Sequence, residues 1–280
     1  MKTHEKGTLL VLALLAAMLI MSQSAFGAEF GDAPEGDAAN PVIAYPPGTY
    51  GAFPTYVNHG VAGHVKHALQ LAWFGSGVDA EGDGNASNCP AFPPYDADEC
   101  YADGDAGLVM PDAYTIVGPI PPGSVIPCVT PVQVPALGGG TCPTAVWGVD
   151  LDITVTNNMP SGTMGYVNVL MDWNQNGSWD APSTCPSGSA PEHVLVNFPV
   201  PNGYSGQLSG LGPPSFLIGP NQGYVWARFT VSEGTAPSGW DGAADYEDGE
   251  TEDYLLCVGA VCQPSPVETN SWGCIKGLYR

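Results

Sequence analysis

The sequence is poor in basic side chains. It contains 6 Lys and Arg against 28 Asp and Glu in 280 residues, which gives a formal net charge of -22. Proteins that bind nucleic acids or anionic lipids present positively charged surfaces, so this composition excludes both as partners. It also leaves few side chains that could hold a phosphate group.

The sequence also lacks the patterns of long helices and of membrane-spanning segments. Gly and Pro contribute 37 and 28 residues, and long helices do not tolerate that density. The apolar stretch at residues 9–20 is shorter than the ~20 residues that cross a bilayer. Because 44% of the residues are hydrophobic, the chain can still form a buried core.

Residues 1–27 have the organisation of an export signal. Lys2 and Lys6 precede the apolar stretch, and Ala25-Phe26-Gly27 offers small residues at the two positions that a signal peptidase reads. We expect cleavage after Gly27 and a mature protein that is secreted, displayed at the cell surface or periplasmic. An uncleaved membrane anchor is the alternative interpretation.

All the cysteines follow the export signal: Cys89, Cys100, Cys128, Cys142, Cys185, Cys257, Cys262 and Cys274. An even number of cysteines in an exported chain predicts disulfides. Proximity in sequence suggests two pairs, Cys89–Cys100 and Cys128–Cys142, and leaves the other four unordered. A zinc site is the rival interpretation, but the Cys-x-x-Cys spacing typical of such sites is missing.

Alternation of apolar and polar residues is the clearest structural pattern. It recurs at residues 150–156, 167–171, 194–200, 225–231 and 254–258. Such alternation indicates half-buried strands. Short strands separated by turn residues predict an all-β fold, a β-sandwich of the immunoglobulin-like or jelly-roll type. Very little helix is expected, and residues 63–73 are its best candidate.

Residues 172–180 place oxygen-bearing side chains at alternate positions. Asp172, Asn174 and Asn176 occupy positions 1, 3 and 5, and Gly177 occupies position 6. The first half of an EF-hand calcium loop has this spacing, because alternate side chains turn inward as the chain wraps the ion. We therefore predict a calcium site here. An Asn- and Gly-rich hairpin turn is the alternative.

The remaining ligands of this site are expected farther along the chain. The Ser178 carbonyl is the candidate backbone ligand, and Asp180 or Glu192 is the candidate to complete the shell. Position 12 is Ser183 instead of the Glu of an EF-hand. The prediction is therefore a calcium loop between strands.

A second acidic segment, residues 79–85, repeats the spacing with Gly at its sixth position. The candidate ligands in and after this segment are Asp79, Glu81, Asp83, Asn85, Asp103 and Asp105. Carboxylates this close in sequence repel one another unless a cation or solvent screens them. A second cation loop is one interpretation, and a solvated acidic loop is the other.

A third acidic segment lies at residues 241–253. Within it, Glu250 and Glu252 are candidate metal ligands. Arg228, on the preceding predicted strand, is expected to form an ion pair with Glu250 or Glu252. Stacking of Arg228 on neighbouring aromatic side chains is the competing role.

Taken together, these motifs resemble the GEVED domain of bacterial secreted proteins. Gly249-Glu250-Thr251-Glu252-Asp253 matches the name of the family with Thr in place of Val, and residues 172–177 and 227–229 carry further matches. Residues 30–34, Phe-Gly-Asp-Ala-Pro, are similar to an opening often found in such proteins. The resemblance implies an extracellular, calcium-dependent β-sandwich.

The resemblance also suggests how the chain is divided. We expect a signal peptide at residues 1–27, an acidic β region with disulfide-closed loops at 28–145, a GEVED-like sandwich at 146–258 and a tail at 259–280. In relatives a Glu follows the calcium loop almost directly. Here an insert that contains Cys185 separates the loop from Glu192.

The functional expectation is a non-enzymatic module whose acidic loops bind calcium and are ordered by it, in a structural or adhesive role. Surface glycans or other extracellular proteins are the expected partners. A calcium-dependent carbohydrate-binding module is the first alternative, with Trp173 or Trp179 exposed beside the ion loop. A secreted hydrolase that uses paired carboxylates is the second alternative, but no His-Glu-x-x-His or Gly-x-Ser-x-Gly motif is present.

Overall fold

The fold is built from short strands. The computed structural model describes residues 28–36, 41–46, 48–57, 62–78, 83–84, 106–117, 124–128, 137–138, 141–259 and 262. These residues form nineteen strands and one short 3-10 helix, Leu208–Leu211, which confirms the prediction of an all-β fold. Within them, no helix has the length and apolar character that crossing a membrane requires.

The first nine strands have two to four residues each. They are β1 (Glu29–Phe30), β2 (Ile43–Tyr45), β3 (Thr49–Tyr50), β4 (Val65–His67), β5 (Ala72–Phe74), β6 (Leu108–Met110), β7 (Tyr114–Val117), β8 (Ser124–Pro127) and β9 (Thr144–Ala145). The later strands include the longest ones. They are β10 (Asp152–Asn157), β11 (Gly165–Met171), β12 (Ser183–Cys185), β13 (Gly188–Ala190), β14 (His193–Val200), β15 (Ser205–Gln207), β16 (Phe216–Leu217), β17 (Gly223–Ser232), β18 (Ala244–Tyr246) and β19 (Gly249–Val258).

A six-stranded antiparallel sheet forms the centre, in the order β14-β11-β17-β19-β7-β8. Strands β17 and β19 pair along their whole length, from Gly223 opposite Val258 to Ser232 opposite Gly249. All ten residues of β19 are buried. A strand that is buried on both faces needs a covering layer on each side of its sheet.

The first covering layer is a second sheet, in the order β15-β10-β5 with β6 also paired to β10. Its side chains Phe74, Ile153 and Val155 share one apolar cluster with Phe229 and Tyr254 of the central sheet. This contact makes the fold sandwich-like.

The second covering layer is the N-terminal strap, which we define as the described part of residues 28–57. Phe53 of the strap and Trp179 pack against Trp226 and Leu255 of the central sheet in a second apolar cluster. Because neighbouring residues of a strand point to opposite faces, Trp226 and Phe229 lie in different clusters. The central sheet is thus enclosed by the second sheet on one side and by the strap on the other.

Residues 63–73 do not form the expected helix. Val65–His67 and Ala72–Phe74 are strands, and burial alternates along both of them. Strand β4 pairs with β1 and β18, and β5 pairs with β10. The prediction was wrong because a short apolar pattern does not distinguish a helix from two strands.

Sheet pairing crosses the expected domain boundary between residues 145 and 146. Strands β5 and β6 pair with β10, β7 pairs with β19, and β4 pairs with β18. Strands from both sides of this position therefore build the same sheets.

The disulfides differ from the suggested pairs. Cys142 is bonded to Cys185, and Cys257 is bonded to Cys262. Cys128 is also in a disulfide, so the suggested Cys128–Cys142 pair was wrong. Sequence proximity failed because folding brings the Cα atoms of Cys142 and Cys185 to 5.9 Å across 43 residues. Cys89, Cys100 and Cys274 lie outside the described residues.

His67 is fully buried in β4. Its Nε2 lies 2.9 Å from the Thr251 hydroxyl, and its Nδ1 lies 3.3 Å from the Asp248 carbonyl. Burial lowers the pKa of His67 to about 3, and the charge of Arg228 acts in the same direction. The imidazole is therefore neutral in the folded protein, as its buried position requires.

Stability should fall in acid because of His67. The unfolded imidazole takes up a proton near pH 6.5 and the folded one only near pH 3, so stability is present above pH 6.5 and is lost as the pH falls between these values. We expect His67→Gln to reduce the loss of unfolding free energy between pH 6.5 and pH 3 by roughly 2–4 kcal/mol. Urea unfolding at a series of pH values measures this loss. The matched control is His64→Gln, at the more exposed neighbouring histidine in contact with Asp245. An equal loss of unfolding free energy in acid for the wild type and both variants would contradict a neutral buried imidazole.

Candidate functional site

The predicted ion loop, residues 172–180, begins where β11 ends. Asp172 is fully buried, and its carboxylate accepts hydrogen bonds from the Asn176 and Gly177 backbone amides at 3.2 and 2.9 Å. Gln175 and Gly177 have positive φ values of 59° and 89°. These conformations bend the chain back over the Asp172 carboxylate.

Asn174, Asn176, Ser178 and Asp180 form further hydrogen bonds within the loop. The Asn174 Oδ1 accepts from the Asn176 amide at 2.9 Å, and the Asn176 Oδ1 accepts from the Ser178 amide and hydroxyl, both at 2.9 Å. The Asn176 Nδ2 donates to Asp180 at 3.1 Å. The structure therefore brings the predicted ligands of this loop together. The Asn174 Oδ1 accepts one hydrogen bond and keeps a lone pair for a cation, whereas the Asn176 Oδ1 already accepts two and could bind a cation only if the Ser178 hydroxyl turned away.

Glu192 lies beside the same loop despite the insert. Strands β12 and β13 form a hairpin in which Ser183 lies opposite Ala190, so the insert folds back on itself. The carboxylate of Glu192 accepts from the Ala181 amide at 3.1 Å and from the Asn174 amide at 3.5 Å. The hairpin thus brings Glu192 back beside the loop despite the insert.

The acids of this site are held in an unfavourable environment for negative charge. Burial raises the pKa of Asp172 to about 6, although hydrogen bonds from Gly177 and Tyr45 oppose the shift. Burial also raises the pKa of Glu192 to about 8, and the charges of Asp172 and Asp180 add to this effect. A proton or a cation bound from solution would relieve the repulsion.

The described part of the chain offers no basic side chain to this site. Its Lys and Arg residues are Lys66 and Arg228. Lys66 lies 6.0 Å from the Phe30 ring, and Arg228 is bonded elsewhere. Among the described residues, no group of three or more His, Cys, Asp or Glu is arranged to hold a metal ion. A cation in this loop would therefore depend on amide and carbonyl oxygens as well as on carboxylates.

The tryptophans beside the loop are buried. Trp173 is fully buried and donates its indole N–H to the Pro191 carbonyl at 3.0 Å. Trp179 is 4% exposed and packs on Phe53, with ring centroids 4.3 Å apart. The expectation of an exposed tryptophan at this site was wrong, because both rings fill the core beneath the loop.

Most of the second acidic segment lies outside the described residues. This applies to Asp79, Glu81, Asn85, Asp103 and Asp105. Asp83 is described, and its carboxylate accepts from the Val57 amide at 2.6 Å and from the Gly84 amide at 3.0 Å. Asp83 thus contacts the end of the strap.

The expected ion pair of Arg228 with Glu250 or Glu252 was wrong. Arg228 binds Asp253 through two hydrogen bonds, Nε to Oδ1 at 2.8 Å and Nη2 to Oδ2 at 2.6 Å, and both side chains are fully buried. The register explains the choice, since Arg228 lies directly opposite Asp253 in the β17–β19 pair. Glu250 and Glu252 point to the other face of the sheet.

The strap completes the surroundings of this ion pair. Arg228 also donates to the Pro54 carbonyl and to the Gly242 carbonyl, the latter at 3.1 Å. Its guanidinium carbon lies 4.7 Å from the centre of the Trp179 ring. Arg228 therefore does stack on an aromatic ring. That ring belongs to Trp179 of the ion loop and not to an aromatic residue of Arg228's own strand.

Asp253 in turn anchors the beginning of the strap. Its Oδ2 accepts from the Asp32 and Ala33 backbone amides at 2.8 and 2.7 Å. A Cβ atom on Gly31 would overlap the side chains of Arg228 and Asp253. The Phe-Gly-Asp-Ala-Pro opening and the Gly-Glu-Thr-Glu-Asp motif are therefore two halves of one contact.

The two glutamates of the motif accept main-chain hydrogen bonds on the opposite face. Glu250 accepts from the Phe74 amide, and Glu252 accepts from the Gly107 amide at 3.0 and 3.1 Å. The structure does not bring them to the ion loop, and their contacts indicate a role in joining the two sheets.

Two residues of the site were not identified from the sequence. Glu29 accepts from the Thr251 amide at 2.9 Å, and the Tyr45 hydroxyl donates to Asp172 at 2.8 Å. Glu29 lies directly before the Phe-Gly-Asp-Ala-Pro motif, and this position is the sequence signal that could have identified it. Tyr45 carries no sequence signal, because only the folded strap places it beside the loop.

One segment of the chain matches a known protein family. Residues 166–257 match the family model described as the GEVED domain. This range begins in β11 and ends in β19, so it includes the ion loop, Arg228 and Asp253. The chain contains a GEVED domain, as the sequence motifs predicted. No curated protein matches the chain.

Neutralising Asp253 should destabilise the protein strongly. Asp253→Asn leaves Arg228 buried without a countercharge, which typically costs about 3–5 kcal/mol. Urea unfolding followed by tryptophan fluorescence would measure this loss. The matched control is Asp245→Asn, at a side chain that is 75% exposed, and we expect it to change stability by at most about 0.5 kcal/mol. Equal stability of the two variants would show that the buried pair contributes nothing.

Proposed function

We propose that this protein is an exported, non-enzymatic β-sandwich module whose 172–180 loop binds calcium and is held in shape by it. One observation carries the proposal. The β12–β13 hairpin returns Glu192 to the loop, where its buried carboxylate lies beside the Asn174 and Ala181 amides. A second buried acid therefore lies close enough to Asp172 for their charges to repel, and a cation would relieve that repulsion.

The donor set suits a hard cation. Asp172 and Glu192 supply carboxylates, Asn174 and Asn176 supply amide oxygens, and Ser178 supplies a backbone carbonyl. Calcium prefers such oxygen ligands and accepts irregular geometry, whereas magnesium requires a near-ideal octahedron. When bound, calcium would supply positive charge where the described chain has none, and so favour the ionised form of both acids.

Other observations support export. The described residues contain disulfides between Cys142 and Cys185 and between Cys257 and Cys262, and such bonds persist in oxidising compartments. The export signal that we predict at residues 1–27 is consistent with this location. Secretion or display at the cell surface is part of the proposal.

The structural or adhesive role is favoured over sugar binding. Carbohydrate-binding sites commonly present exposed aromatic rings. Of the described tryptophans, Trp73 is half-buried and the others are buried: Trp147, Trp173, Trp179, Trp226 and Trp240. The contacts of Glu250 and Glu252 with main-chain amides likewise favour a structural role for these acids over a catalytic one.

Glu192→Gln tests the calcium site. In chelator near pH 8 the variant should be within about 1 kcal/mol of the wild type, because removing a buried acid whose pKa is raised offsets the loss of one of its two hydrogen bonds from amides. In calcium at about a hundredfold excess over Kd, binding should stabilise the wild type by about 2.7 kcal/mol. The variant should lose most of this gain. Thermal unfolding of the oxidised protein in both conditions gives the comparison.

The control is Glu247→Gln, at an exposed acid outside the loop, which should keep the full calcium effect. Sodium at equal ionic strength should not reproduce it. We expect a Kd on the order of 10⁻⁴–10⁻³ M, as in other extracellular modules. A wild type whose stability ignores calcium, with no calcium found by elemental analysis, would refute the site.

A further inference from the structure

We propose that Tyr45 couples the ion loop to the N-terminal strap, so that a cation held by the loop also holds the strap on the central sheet. The part of this inference that concerns calcium rests on the proposed function. The coupling itself rests on contacts between described residues and can be tested without calcium.

The Tyr45 hydroxyl lies between two parts of the GEVED domain. It donates to the Asp172 Oδ2 at 2.8 Å and accepts from the Trp226 backbone amide at 2.9 Å. Tyr45 is 6% exposed. One hydroxyl of the strap thus joins the first residue of the ion loop to β17.

A second contact joins the same two segments. The Ala52 amide of the strap donates to the Gly177 carbonyl of the loop at 2.7 Å. Gly177 also approaches the strap so closely that a Cβ atom would overlap the Tyr50 carbonyl. Movement of the loop at Gly177 would therefore break this hydrogen bond or displace the strap.

A third contact continues from the loop to the buried ion pair. Trp179, in the loop, packs on Phe53 of the strap and lies over the guanidinium of Arg228. Arg228 holds the strap through the Pro54 carbonyl, and its partner Asp253 holds Ala33. The loop, the strap and the ion pair therefore form one connected set of contacts.

The direction of coupling follows from this arrangement. A cation that fixes Asp172 also fixes the acceptor of the Tyr45 hydroxyl, and so favours the docked strap. Linkage is reciprocal, so a loosened strap must weaken cation binding by the same factor. Tyr45 is a positioning residue in this scheme, because it would act on the cation through Asp172.

Hydrogen–deuterium exchange of the full oxidised protein tests the coupling. The variant Tyr45→Phe removes only the hydroxyl. Its control is Tyr50→Phe, at a ring on the same strap that is 55% exposed. In chelator, we expect Tyr45→Phe to speed exchange in the part of the strap within residues 42–57. Exchange should also be faster across the loop, in residues 172–181. Residues 205–211, in the second sheet and its 3-10 helix, should be unaffected, as should every segment of Tyr50→Phe.

Measurements in calcium give a second test of the coupling. In the wild type it should slow exchange in the strap as well as in the loop. Titration calorimetry should show a Kd for calcium that is roughly tenfold weaker in Tyr45→Phe with unchanged stoichiometry, as is usual when a group that orients a metal ligand is removed. Tyr50→Phe should bind calcium like the wild type.

The outcomes separate the two proposals. If calcium neither binds nor protects the loop, the proposed function fails, and the chelator arm alone decides the coupling. If calcium protects the loop but leaves the strap unchanged, the calcium site stands and the coupling is overturned. If Tyr45→Phe exchanges like Tyr50→Phe in chelator, the coupling is also overturned. Should Tyr45→Phe fail to fold, the strap of the wild type with and without calcium still gives the answer.

Discussion

The structure depends on one buried ion pair, Arg228 with Asp253. A buried pair is tolerated only when the remaining donors and acceptors are satisfied, and here the strap satisfies them through Pro54, Asp32 and Ala33. The GEVED match at residues 166–257 contains the pair but not the strap. The matched region therefore holds a charge arrangement whose partners come from residues about 200 positions earlier in the chain.

Hydrogen bonds from backbone groups of distant segments also explain how a chain with a net charge of -22 buries so many acids. Glu29, Glu35, Glu250 and Glu252 all accept hydrogen bonds from backbone amides of distant segments. Backbone amides are dipoles that every segment supplies, so the protein can stabilise carboxylates without lysines or arginines. The ion loop differs, because there two buried acids, Asp172 and Glu192, lie close enough for their charges to repel.

The sequence predicted those features whose cause is local. Alternation identified β10, β11, β17 and β19, and spacing identified the cluster of oxygen side chains after Asp172. Features set by pairing between distant segments were missed. Which acid Arg228 binds depends on the register of β17 against β19, and the partner of Cys142 depends on where the β12–β13 hairpin folds. Tyr45 reaches Asp172 across 127 residues, and no local pattern encodes that approach.

The β12–β13 hairpin shows where this domain can accept new sequence. Its base, Ser183 opposite Ala190, is closed by strand pairing, and Cys185 is tied to Cys142. Its tip, Pro186 and Ser187, is exposed, and exposed tips of polar residues tolerate insertion best. An epitope or a fluorescent label placed there would leave Glu192 in its position at the loop, so the insert is a natural attachment point.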